Sequence, residues 1–154
     1  VNDGQSVDLG SVRFTERYLN SDPVTDEEFN ICLNEVDDKL EELVEWRGAI
    51  PSNMQMLAVA GTATTLASWH LRLREFDSAE VENVQLTSAN LFQMVEDLKR
   101  MSVKERSDQV GIDPKRADVL LAGAMIMWRT MEKLKFQTCN ISSRGLRYGV
   151  LMDL

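Results

Sequence analysis

The spacing of hydrophobic positions changes several times along the chain, and each change marks an element. Val7 and Leu9 alternate with polar neighbours as far as Arg13, like the end of a strand, and Phe14 to Leu19 fits one or two helical turns. Ser21-Asp22-Pro23 stops that pattern. Thr25-Asp26-Glu27-Glu28 then reads as a capping box, Thr25 bonding to first-turn amides and Glu28 reciprocating. Phe29, Leu33, Val36, Leu40, Leu43 and Val44 follow at helical spacing, which predicts a helix to about Trp46. Its other face carries Glu35, Asp37, Asp38, Glu41, Glu42 and Glu45, read as a solvated face, since such a run needs no metal to be stable.

After a loop over Gly48 to Asn53, Met56 to Ala60 is a short apolar run that Gly61 breaks, and Thr62 to Leu73 reads as a helix. Val84-Gln85-Leu86 reads as an edge strand, and Ser88 as the cap of a helix over Ala89 to Met101. A short helix is expected over Ser102 to Asp108 and a turn at Gly111 to Pro114. The next helix should then start at Pro114, capped by Asp113, and run to about Lys135. It is apolar nearly all round from Val119 to Trp128, the signature of a helix buried on several sides. Phe136 to Ile141 is a strand candidate, and Ser142 to Gly145 opens a last helix through Leu146, Val150 and Leu151. The order is that of a helix-rich α/β domain with few strands.

Composition narrows the function classes. The chain has 154 residues, one domain by length, with 17 basic against 25 acidic side chains and a net charge of −8. That balance argues against a nucleic-acid partner or an anionic membrane surface, so any anion must be held locally by a few aimed arginines or backbone amides. The apolar run from Val119 to Trp128 is ten residues, half of the roughly 20 needed to cross a bilayer. Two cysteines, Cys32 and Cys139, are too few for a disulfide scaffold and are expected as reduced, buried thiols of a cytoplasmic protein. The single histidine, His70, is expected to be packed or exposed rather than a base or ligand. Met125, Met127 and Met131 read as core filling. Val1 in place of an initiator methionine points to a piece of a longer polypeptide.

Chemistry concentrates at Ala60-Gly61-Thr62-Ala63-Thr64-Thr65. A glycine at a strand end admits close approach to the backbone, the helix after it begins with unpartnered amides, and its dipole favours anions. Thr62, Thr64 and Thr65 would add hydroxyl donors. The segment is neither a P-loop nor a GxGxxG turn, and on these residues alone a tight strand-to-helix turn with Thr as the cap is the simpler explanation, without a ligand. Arg116, in the expected first turn of the long helix, opposes the helix dipole. It either reaches an anion or pairs with Asp113 or Asp118. Arg144 and Arg147 near the end are left without a role. The reading requires an open crevice beside Gly61 and Thr62.

Four stretches in one order carry a resemblance. They are Leu9 to Leu19 (LGSVRFTERYL), Ala58 to Ala67 (AVAGTATTLA), Arg116 to Ala124 (RADVLLAGA) and Ile141 to Leu154. Together they make the chain similar to the second half of the catalytic region of the exopolyphosphatase / guanosine pentaphosphate phosphohydrolase family. The resemblance implies a ribonuclease-H-like α/β domain of the actin, sugar kinase and heat-shock ATPase superfamily, helix-rich with a small mixed sheet. It implies hydrolysis of a phosphoanhydride in polyphosphate or guanosine pentaphosphate, with magnesium neutralising the phosphates. The base and the glycine-rich phosphate loops would lie in a first domain that these residues do not include. No catalytic residue and no metal ligand is therefore assigned within the 154 positions. By the same resemblance Gly61, Thr62, Ala63 and Thr64 would contact substrate, and Arg116 phosphate or nucleotide. The family often has acidic residues where Ser143 and Tyr148 stand here. The chain alone is expected to be inactive and to form a homodimer through surface a partner domain would cover. A non-catalytic regulatory module is the competing reading, and an ATP-using sugar or acetate kinase relative a third.

Overall fold

The computed structural model describes residues 4–47 and 54–145, so the expected loop over 48–53 and the expected last helix beyond 145 lie outside the described residues; the helix does not open at Ser142 as expected, since Ser142 ends a strand and 143–145 are not helical. Seven helices and three strands follow in the order α1 (Ser11–Tyr18), α2 (Asp26–Arg47), β1 (Met56–Val59), α3 (Gly61–Leu71), α4 (Ser78–Val81), β2 (Gln85–Thr87), α5 (Ser88–Arg100), α6 (Val103–Ser107), α7 (Leu120–Leu134) and β3 (Thr138–Ser142), with a 3-10 turn over Pro114–Arg116 before α7.

Four of the seven described helices, α2, α4, α5 and α6, start where a side chain satisfies the first amides. The box at α2 forms as expected, Glu28 N donating to Thr25 Oγ1 at 3.2 Å and Thr25 N to Glu28 Oε2 at 3.1 Å. A second box at α6 joins Ser102 and Glu105. At α5 the cap is Thr87 rather than Ser88, and Asn90 completes the box. Two expectations are corrected. The segment entering through Ser11 to Arg13 is helical, not a strand end, because Phe14 and Tyr18, one turn apart with ring centroids at 5.3 Å, give α1 its packing face. The long helix does not run unbroken from Pro114: the Asp118 carboxylate takes the amide of Val119 at 2.9 Å, offering the backbone a local alternative, and α7 begins only at Leu120. Helix α4, capped by Asp77, has too few residues to show a period and was not expected.

The sheet has the order β1-β3-β2, β1 parallel and β2 antiparallel to β3, with Ala58 opposite Ile141 and Leu86 opposite Cys139. One face, with Leu86, Cys139 and Ile141, is fully buried. On the other, Leu57 and Val59 are exposed, so β1 is an edge strand with one open face, not the buried strand its apolar run suggested. Helix α7 runs through the centre against α1, α2, α3 and α5. Its Leu120, Leu121, Ala122, Ala124, Met125 and Met131 are all buried, as an all-round apolar helix requires. The acidic face of α2 is not wholly solvated. Asp37 accepts a two-pronged bond from Arg129 of α7 at 2.7 and 2.8 Å, and Glu41 pairs with Lys133. Cys32 and Cys139 are free and buried, and burial pushes their thiols up to about 12 and about 11, so neither is a nucleophile at neutral pH.

Candidate functional site

The site is built where β1 passes into α3. Ala60 caps the helix with φ 75° and ψ −178°, a conformation that glycine adopts readily and alanine only under strain. Its methyl group cannot accept a hydrogen bond, so the first amides of α3 have no side-chain cap. The ladder begins with Thr64 N on the Ala60 carbonyl at 3.1 Å. Ala60→Gly is accordingly expected to stabilise the chain by about 1 kcal/mol, the relieved strain exceeding the added chain entropy. Thermal unfolding checks this; a lower midpoint would mean that the backbone at position 60 carries no strain.

Gly61 is where the site closes on itself. A Cβ there would fall on the guanidinium carbon of Arg116, so the arginine occupies the space a side chain would need. Arg116 ends the 3-10 turn and is exposed. Its two candidate ion-pair partners are engaged elsewhere: Asp113 Oδ1 accepts the Lys115 amide at 3.0 Å, and Asp118 Oδ1 that of Val119. Among the described residues the Arg116 guanidinium has no carboxylate partner. An open cleft of about 390 Å³ lies beside it, with Gly61, Thr64, Arg74, Phe76, Asp113 and Arg116 in its wall.

The sequence-predicted residues divide here. Gly61, Thr64 and Arg116 meet at the cleft. Thr62 turns away from it: its Cγ2 and Oγ1 pack on Gly123 of α7, 2.6 and 2.7 Å from where a Cβ would stand. Ala63 is buried in the core. Of the expected hydroxyls, Thr64 Oγ1 donates back to the carbonyls of Ala60 and Gly61 at 3.3 and 3.2 Å, and Thr62 faces α7. Thr65 is largely buried but stands in the cleft wall with Ser68, so α3 brings these two side chains to the cleft beside Gly61. His70 is exposed and stands outside the cleft wall.

Arg74 and Phe76 were missed, as was the place at the cleft of the expected turn through Gly111. Arg72 ends α3 in the left-handed conformation (φ 54°), its amide and that of Leu73 returning to Trp69 and Ser68, which swings Leu73 to Phe76 across the cleft mouth. Gly111 (φ +97°) lies so close to α3 that a Cβ would stand 2.5 Å from the Ser68 carbonyl oxygen. At the same end of the sheet, where Ser142 pairs with Val59, Glu82 accepts the Ser143 amide and hydroxyl at 2.7 Å each and lies 4.0 Å from Arg144, so Arg144 has a carboxylate partner. Arg147 lies outside the described residues.

The model of the Ppx/GppA phosphatase family matches residues 1–154. The chain belongs to that family. It is 30% identical over 155 aligned positions to Exopolyphosphatase 2 of Mycobacterium tuberculosis, an alignment covering 97% of this chain and 48% of that protein. It is also 30% identical to the bifunctional 3-dehydroquinate synthase/phosphatase of Fusobacterium nucleatum, over 96% of this chain and 22% of that protein. In three dimensions it superposes on the type II crystal structure of the Aquifex aeolicus Ppx/GppA phosphatase with a TM-score of 0.89 and 28% identity, covering 99% of this chain and 49% of the other. The fold is thus the helix-rich α/β architecture of the Ppx/GppA phosphatases, and the chain spans about half the length of the exopolyphosphatase it matches. No described helix is long and apolar enough to cross a membrane.

Proposed function

We propose that this chain forms one wall of a cleft in which the terminal phosphate of inorganic polyphosphate or guanosine pentaphosphate is released by phosphoanhydride hydrolysis. One observation carries the reading. Arg116, a cation with no carboxylate partner among the described residues, lies over Gly61 at the start of a helix whose first amides have no side-chain cap, at the mouth of an open cleft. In a chain of net charge −8, such a concentration of positive potential fits an anion held by a guanidinium fork and backbone amides. Arg74 adds a second cation to the same wall.

The chain is read as the second of two domains, the other half of the polypeptide supplying the base toward the attacking water. Asp113, a carboxylate in this cleft wall, is engaged in capping the 3-10 turn. Magnesium, which the family resemblance implies, finds no suitable donor set in this half: among the described residues no three His, Cys, Asp or Glu side chains converge. Its ligands are assigned to the other half, and no step is derived through it here. Catalysis of this kind is positioning and electrostatics, so the 154 residues alone are expected to release no phosphate.

The test is orthophosphate release by the intact polypeptide from both substrates. Arg116→Ala is expected to weaken substrate binding by about tenfold to a hundredfold, the loss of one or two charge-assisted hydrogen bonds. A wild-type protein that binds tripolyphosphate but hydrolyses neither substrate would make this a regulatory or binding module. An unchanged KM in Arg116→Ala would remove that residue from the site.

A further inference from the structure

We propose that Arg106 is a positioning residue for Arg116, holding the 3-10 turn through the carbonyl of Ala117 so that the Arg116 guanidinium stays over Gly61. The proposal rests on the reading of Gly61 and Arg116 as a phosphate site. Arg106, on α6, is only 2% exposed. A buried guanidinium is costly, and an apolar side chain of similar volume commonly serves stability as well or better, so its retention points to a geometric task.

Its bonds define that task. Nε donates to the carbonyl of Leu98 in the last turn of α5 at 2.9 Å, and Nη1 donates to the carbonyl of Ala117 at 3.4 Å. Ala117 is fully buried and sits between the 3-10 turn and α7. Because α7 opens with the Val119 carbonyl accepting the Gly123 amide, the Ala117 carbonyl precedes the helical ladder and needs a donor from elsewhere. Arg106 is that donor. The segment is braced around it: the Asp22 carboxylate takes the Val103 amide at the start of α6 at 2.7 Å, and Asp118 takes that of Val119. Burial lowers the Arg106 pKa from the ordinary guanidinium value, and the same two carboxylates oppose that shift.

Among the described residues no ion pair holds Arg116, so its place over Gly61 depends on the backbone that carries it. Nη2 of Arg106 has no hydrogen-bond partner, so the side chain meets the two carbonyls without completing its own set. That is a geometry kept for position rather than for stability.

The experiment uses the intact polypeptide with Arg106→Lys and Arg106→Met, each with and without Arg116→Ala, and reads two quantities. The first is the Gly61 amide resonance without ligand. The second is the dissociation constant for tripolyphosphate, measured well below the unfolding midpoint. Arg106→Met is expected to move the Gly61 resonance and to weaken tripolyphosphate binding by about tenfold, but by less than about twofold once Arg116 is already alanine. Arg106→Lys, which keeps the charge but cannot span both carbonyls, is expected between the wild type and methionine, and it carries the test if methionine fails to fold. An equal loss of affinity in both backgrounds, or an unmoved Gly61 resonance, overturns the proposal. If wild type does not bind tripolyphosphate, the phosphate reading fails by itself, and the Gly61 resonance in Arg106→Lys still decides the positioning role.

Discussion

Gly111→Ala is expected to cost about 3–5 kcal/mol of folding stability, more than any surface substitution in this chain. Two penalties add. The backbone at Gly111 has φ +97°, which an L side chain rarely adopts. The new methyl would also stand 2.5 Å from the Ser68 carbonyl oxygen and 2.6 Å from the Trp69 Cα. Both atoms belong to the backbone of α3, so neither can rotate away as a flexible side chain would. Relief requires the turn through residues 111–114 to lift off α3, and the Arg116 turn follows directly after it. At a few degrees per kcal/mol for a chain of this size, the unfolding midpoint should fall by roughly 10 °C. Urea titration checks the free energy: the midpoint concentration should drop while the slope stays constant. A loss under about 1 kcal/mol would mean that this contact does not hold the turn to the helix.

Gly61→Ala should behave in the opposite way. Here the obstructing atoms are the far end of an exposed arginine, which can swing into solvent at little cost. Stability should change by less than about 1 kcal/mol, while affinity for tripolyphosphate falls by about tenfold to a hundredfold, as in Arg116→Ala. The double variant Gly61→Ala with Arg116→Ala should bind no more weakly than Arg116→Ala alone, because both remove the same guanidinium from the same place. Calorimetric titration of the intact polypeptide reads this directly. Wild-type affinity in Gly61→Ala would show that the guanidinium over position 61 takes no part in holding the anion. The contrast between two glycines, one facing backbone and one facing a mobile side chain, separates loss of fold from loss of site.

Local signals in the sequence were strong wherever a side chain and a backbone amide a few residues away solve the same problem. The Thr25–Glu28 box and the Asp113 cap are visible as residue patterns because the partners are neighbours in the chain. The burial of α7 was likewise visible, since a helix apolar on all sides has nowhere else to go. The second half of α1 is legible at Phe14 to Leu19, but Ser11 to Arg13 read as a strand end because so few residues carry too short a period to separate from alternation, and α7 supplies most of the helix's packing. Ser88 was preferred to Thr87 as a cap because both residue types serve, and only the backbone angles choose.

The candidate site shows the same boundary at finer scale. That a glycine after a short apolar strand should open a helix with uncapped amides follows from residue chemistry at adjacent positions. Which of Gly61, Thr62, Ala63 and Thr64 would face a cleft does not follow, because the direction of each side chain is settled by what packs against the helix. Gly123 of α7 receives Thr62, the core receives Ala63, and the carbonyls of Ala60 and Gly61 take the Thr64 hydroxyl. Nor could the chain order alone bring Arg74, Phe76 and Arg116 to one cleft; the left-handed end of α3 and the close approach of Gly111 do that. The amino-acid order by itself determined the capped helices, the strand–glycine–helix join and the family to which they belong, since those depend on neighbours along the chain. The tertiary structure alone decided that the Arg116 guanidinium would lie over that glycine, because only packing between elements distant in sequence can bring the two together.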